Sequence, residues 1–374
     1  LLVSFALLAG GCGGSSSSDG DASSGSDSET ENVVVSDLVV TGPSFTFEDG
    51  VVFISGGGTY TLTGALSGGM VHVSAAGSDV TLILDNATIT NASGPAILFE
   101  AARSATVMLA SGSENAVTDG GSNEDYDAAI FSLVPLTVGG EGKLDASGNN
   151  QEGIASDSTL TIDGGVIRVV AVDDGLNSGG DLTINDGYLY VEAVGDGIDS
   201  NANLTINGGT IISLGGMSGG DGGLDADDGY SLAINGGTVI ATGQDIPTPD
   251  AASKQRSMIV NFNEQSAGTL VHIEGGAENM TFRPDKSYRA FFYSSGSLAN
   301  GVAYGVHLGG SCDGIEADGL YISGTYAGGT QQSHTNGSTE FTITGTTGVF
   351  NVGTGGNPPG GDNNQPAPPE KPGA

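Results

Sequence analysis

Tryptophan is absent from this chain, and cysteine is nearly so, with 2 in 374 residues. Without Trp there is no broad indole platform for stacking on neutral, cellulose-like chains. Two cysteines, Cys12 and Cys312, imply no disulfide framework. Positive charge is equally scarce: Lys and Arg number 9 against 44 Asp and Glu, for a net charge of −35. Recognition of phosphates needs stripes of Lys and Arg, so nucleic acid and anionic membrane surfaces are poor partners. The four histidines, His72, His272, His307 and His334, are scattered along the sequence, so no transition-metal site is expected. Amphipathic helical patterning nowhere exceeds about three turns. Glycine is abundant instead, at 66 residues. No Gly-X-Y register accompanies it, which excludes collagen. A hydrophobic content of 37% with alternating Val, Ile and Leu excludes wholesale disorder.

The two ends differ from the middle. Residues 1–12 read as the end of a secretory signal, an apolar core from Leu1 to Leu8 followed by small residues and Cys12. The run is too short for a membrane-spanning helix. Leu8-Ala9-Gly10-Gly11-Cys12 resembles a bacterial lipoprotein processing site, with Leu8 one place further from Cys12 than is usual. Lipidation of Cys12 is therefore expected, giving an extracytoplasmic chain whose membrane contact is that anchor; a plain signal peptide with an incidental cysteine is the alternative. Residues 13–34 are rich in Gly, Ser and Asp and read as a flexible acidic tether. Residues 354–374 form a Gly/Pro-rich tail expected to be disordered.

Between the ends runs a repeat. Gly153-Ile154-Ala155-Ser156, Gly175-Leu176-Asn177-Ser178 and Gly197-Ile198-Asp199-Ser200 advance in equal steps, as do Leu160-Thr161-Ile162, Leu182-Thr183-Ile184 and Leu204-Thr205-Ile206. Each step is about 22 residues, a period that means stacked supersecondary units. Three short strands and three turns fill one such unit, which predicts an all-β chain: a right-handed parallel β-helix over residues 35–250. Ile130 and Leu136 extend the register towards the N-terminus, and Leu224 and Leu232 continue it after a Gly-rich insertion. Turns of the Asn207-Gly208-Gly209 type recur, supplying residues that tolerate positive φ. Over residues 251–353 the repeat fades, and aromatic residues and five of the basic ones gather. A β-rich cap over the solenoid end is expected there.

A residue that repeats at the coil period sits above its equivalent in the coil below. Two places before the corner apolar residue stand Glu152, Asp174 and Asp196; one place after it stand Ala155, Asn177, Asp199 and Asp225. Asp173 flanks the first set, and Asp221, Asp227 and Asp228 crowd the last coil. Carboxylates stacked about 4.8 Å apart repel by roughly 3–4 kcal/mol per pair at an effective dielectric near 20. Few Lys or Arg lie nearby to compensate. Calcium, which takes about 6–8 oxygen ligands in flexible loops, meets the need; solvated turn acids are the bland alternative.

Asp174-Gly175-Leu176-Asn177-Ser178 and Asp196-Gly197-Ile198-Asp199-Ser200, each followed by a Leu-Thr-Ile strand and turn, resemble the calcium-binding, carbohydrate-binding β-helix family of bacterial secreted proteins. The resemblance covers about residues 51–243. It implies a pectate-lyase-like fold and calcium-assisted binding of acidic, polygalacturonate-like polysaccharide. It maps calcium ligands onto Asp174, Asn177, Asp196, Asp199, Asp221 and Asp225; the acidic patterning adds Asp173. The corner Gln151-Glu152-Gly153-Ile154 departs from the family pattern, and Ala155 offers no ligand.

Three functions are compatible with these features. The first is a surface-anchored module that binds acidic polysaccharide through calcium, with Tyr190 offering an exposed ring and Arg168 a charge beside the acids. The second is a calcium-dependent lyase with Arg168 as the base. The third is a structural adhesin stalk.

Overall fold

The structure, a computed structural model, describes residues 31–352 apart from 36 and 122–125, and only the backbone of 31–35. Cys12, residues 13–30 of the expected tether and the tail 354–374 therefore lie outside the described residues, whereas residues 31–34, expected in the tether, belong to strand Glu31–Val35, which pairs antiparallel with Asp37–Gly42. No helix occurs among the described residues; strands and turns form a β-solenoid of about eight turns.

The repeat folds as its alternation dictates. Strands Leu160–Ile162, Val166–Ala171 and Leu176–Ser178 make one coil, and Leu182–Ile184, Tyr188–Ala193 and Ile198–Ser200 make the next. Each pairs in parallel with its equivalent: Leu160 with Leu182, Ile167 with Leu189, Leu176 with Ile198. The earlier coil joins in the register read from the sequence, Ile130 with Ile154 and Leu136 with Leu160. Inward side chains alternate with outward ones, so Leu160, Leu182, Leu204 and Leu232 stack as one buried ladder. Burying a Leu contributes about 1.5–3 kcal/mol, and the ladder repeats that gain at each rung.

The turns divide labour between their residues. Gly209 adopts φ +86°, a conformation that costs a side-chain-bearing residue. Asn207 does not. Its side chain donates instead to Asn185 Oδ1 at 2.8 Å, and Asn235 donates to Asn207 Oδ1 at 2.9 Å, an amide ladder outside the turns.

At the C-terminal end of the solenoid the pairing reverses. Thr238–Gly243 pairs antiparallel with Tyr288–Ser294, which pairs with Ser257–Gln265, itself parallel to Thr347–Asn351. Residues after 251 thus continue the solenoid sheet and add a second apolar cluster that includes Met258, Phe291 and Tyr293. A separate antiparallel sheet, built around Val271–Gly275 and Ala303–Leu308, lies beyond it.

Candidate functional site

The corner glycines set the geometry of the acidic edge. A Cβ on Gly175 would overlap the Val191 side chain and lie 2.5 Å from the Gly197 carbonyl oxygen. Gly153 and Gly197 are crowded in the same way by the next coil. Only glycine lets the chain run so close over its neighbour, and this closeness brings the acids of successive coils together.

Asp174 and Asp196 then act as steps of one ladder. The Asp196 backbone N–H donates to Asp174 Oδ1 at 2.7 Å, and the Gly222 N–H donates to Asp196 Oδ1 at 2.6 Å. Asn177, paired in register with Asp199, donates through Nδ2 to Asp174 Oδ2 at 3.1 Å and to Asp199 Oδ2 at 3.0 Å. Asp173, Asp174, Asp196, Asp199, Asp221 and Asp225 all line one cavity of about 770 Å³. Six of the seven proposed ligands thus share a wall, and Asn177 is bonded to two of them.

Three further acids line the wall: Asp227 and Asp228, which the sequence placed in the last coil but not among the ligands, and Asp245, which sequence reasoning left out. Asp245 had a signal: it follows strand Thr238–Gly243 by the same offset as Asp173 follows Val166–Ala171. Glu152 extends the column by one coil. It is buried, its Oε2 lacks a hydrogen-bond partner, and Asp127 is the acid that acts on it most strongly.

Burial governs the charge of this edge. Desolvation pushes the Asp196 carboxyl up to about 9 and Asp199 to about 8, with neighbouring acids adding to the rise. Desolvation also raises Asp174 to about 6, although the Asp196 N–H and Asn177 amide pull it down. Glu152 rises to about 9, first by burial and then by Asp127. The protein alone therefore keeps part of the column protonated at neutral pH.

The donor set suits a hard cation: carboxylates, one amide and backbone carbonyls, with no thiol or imidazole on the cavity wall. Among the described residues no group of three or more His, Cys, Asp or Glu side chains is already arranged to hold a metal ion. Asp174 and Asp199 instead turn towards the Asn177 amide, and Asp174 and Asp196 towards backbone N–H groups.

Tyr190 and Arg168 lie elsewhere. The expected exposed ring of Tyr190 is only 6% exposed, because the C-terminal segment covers that face and draws Tyr190 into the cluster with Met258 and Phe291. Arg168 stacks over this ring, its Cζ 4.8 Å from the centroid. Its guanidinium also pairs with Asp318, which accepts a 2.6 Å hydrogen bond from Tyr188 as well. The ion pair raises the Arg168 pKa further, and Arg168 does not line the acidic cavity. Lys286 approaches the acids: its Nζ donates to the Ala193 carbonyl and feels Glu192 and Asp221.

Comparison with known proteins gives a family and two similar proteins. A curated carbohydrate-binding domain-containing protein of Acetivibrio thermocellus is 32% identical over 122 residues, 30% of this chain and 43% of the relative. The match thus spans less than half of that relative's length. Among solved structures, the gadolinium derivative of the polysaccharide lyase-like protein from C. thermocellum superposes with a TM-score of 0.45 at 26% identity, covering 56% of this chain and 92% of that one. A family model for carbohydrate-binding domain-containing proteins matches residues 48–290, a span that takes in most of the solenoid strands, the acidic cavity and the strand Ser257–Gln265. On that match, which exceeds half of the sequence, the chain belongs to the carbohydrate-binding domain family.

Proposed function

We propose that the chain binds acidic polysaccharide through calcium held in the acidic cavity, and that it does so outside the cytoplasm, anchored by a lipid on Cys12. One observation carries the reading: at least nine carboxylates face a single cavity with no Lys or Arg on its wall. Asp174, Asn177, Asp196, Asp199, Asp221 and Asp225 would hold the ions, with Asp173 at the rim. Bound calcium would supply positive charge that a uronate carboxylate can share. Without it, a polymer of the same sign would be repelled by a chain of net charge −35. The family supports carbohydrate as the ligand class; uronate as the sugar follows from the electrostatics alone.

Affinity electrophoresis tests the reading directly. Full-length chain should be retarded in gels containing polygalacturonate when calcium is present and released by a chelator. Gels containing neutral glucan should retard it little, since no Trp platform exists. Equal mobility in every gel would favour the stalk reading. Appearance of the ultraviolet absorbance of unsaturated product on incubation with oligogalacturonate would favour the lyase reading.

A further inference from the structure

We propose a second metal site, for a divalent transition ion of the zinc class, on the C-terminal sheet at His272, Glu274 and His307. The topology assembles what the sequence separates. His272 and Glu274 lie two residues apart on strand Val271–Gly275 and so share a face. His307, on the antiparallel neighbour Ala303–Leu308, sits directly opposite His272. Opposite Glu274 stands Gly305. A Cβ there would lie 3.2 Å from His307 Nε2 and 3.5 Å from Glu274 Cγ, so the bare glycine opens the space between these side chains.

Both imidazoles turn Nε2 towards the same carboxylate. His307 Nε2 is 3.1 Å from Glu274 Oε1, and His272 Nε2 is 3.7 Å from Glu274 Oε2. The ring centroids are 5.9 Å apart. His272 is held from behind: its Nδ1 is 2.8 Å from Thr281 Oγ1, and its ring stacks on Tyr326 at 3.9 Å. Tyr326 is itself fixed by donating its hydroxyl to the Gly309 carbonyl at 2.9 Å. A second partner on Nδ1 orients a ligating imidazole and strengthens it as a donor.

Two imidazoles and one carboxylate select a borderline ion such as zinc over calcium, the reverse of the acidic cavity. The three side chains here form hydrogen-bonded ion pairs rather than a closed coordination sphere, in keeping with the lack of a ready-made metal group among the described residues. Glu274 is 56% exposed, and closing the site requires its carboxylate to turn from these two pairs towards the shared ion.

The test uses the full chain without any affinity tag, first saturated with calcium so that the acidic cavity is occupied. Titration with Co²⁺ alone should then give a visible spectrum distinct from the aqueous ion, and Zn²⁺ should abolish it. His307→Ala and Glu274→Gln should each weaken Zn²⁺ binding by at least about tenfold in calorimetry. Their cooperative melts in chelator should survive, while Asp199→Asn should leave Zn²⁺ affinity unchanged. A Co²⁺ spectrum no different from the free ion, or equal Zn²⁺ affinity in His307→Ala and the parent chain, would overturn the site. Loss in Asp199→Asn alone would move the ion to the acidic cavity and overturn it equally.

Discussion

Asp196 and Asp199 concentrate the electrostatic cost of the acidic edge. Each is half-buried, hydrogen-bonded by amide or backbone, and raised mainly by desolvation. Asp196→Asn and Asp199→Asn should therefore melt at or above the parent temperature in chelator, because each removes a group that resists ionisation. With calcium present the order should reverse. The parent chain should gain about 2.7 kcal/mol at a hundredfold excess over Kd, and the variants much less. Equal calcium-induced shifts in parent and variants would count against these two side chains as ligands. A pH dependence follows from the same groups. Their folded pKa values, about 9 and about 8, exceed the ordinary carboxylate value, so the folded chain holds protons that the unfolded chain has released. Stability from this source is complete below about pH 4 and is lost as pH climbs towards about 9. Thermal melts in chelator should fall across that window. Calcium should flatten the profile and release protons on binding near neutral pH, measurable as a dependence of binding heat on buffer ionisation enthalpy. Identical profiles with and without calcium would argue that the acids are merely solvated.

The strand and turn carry most of what could be read in advance. The Leu160, Leu182 and Leu204 ladder follows from a period repeated without gaps, because parallel stacking puts equivalent positions in contact. The acid column follows from the same arithmetic. The reason for glycine at the corner did not: Gly153, Gly175 and Gly197 are required by contact with the coil beyond, not by a positive φ. Gly175→Ala should cost at least the roughly 1–3 kcal/mol typical of overpacking, read as a lower urea midpoint at unchanged slope. It should also spread the coils locally and weaken calcium binding. An alanine chain as stable as the parent would mean the corner relaxes freely. Tyr190 shows where strand-level reading stops. Its alternation marks it as outward, yet an outward residue of the solenoid is buried once another segment packs on it.

For the molecule as a whole, the C-terminal third closes the stack. Its antiparallel strands cover Ile212, Ile240 and Tyr190, and Asp318 reaches back to Arg168 and Tyr188. A chain ended after residue 250 should therefore expose a large apolar face and associate or bind a hydrophobic dye, as seen by size-exclusion chromatography; a monodisperse product with the parent melt would show that the solenoid needs no cover. This region was the least legible in the sequence. It lacks a repeat, so nothing local announces that His272 faces His307 or that Asp318 meets Arg168. The first pair is set by an antiparallel pairing and the second by an ion pair between distant segments.

The backbone ladder that lifts one acid above the next also makes the edge a ruler. Its graduations are fixed by strand spacing, about 4.8 Å, and no side-chain rotation can rescale them. A polyanion lying along that edge must match the pitch to meet more than one bound ion. One with a different spacing between charges would drift out of phase within a few sugar units, however negative it is.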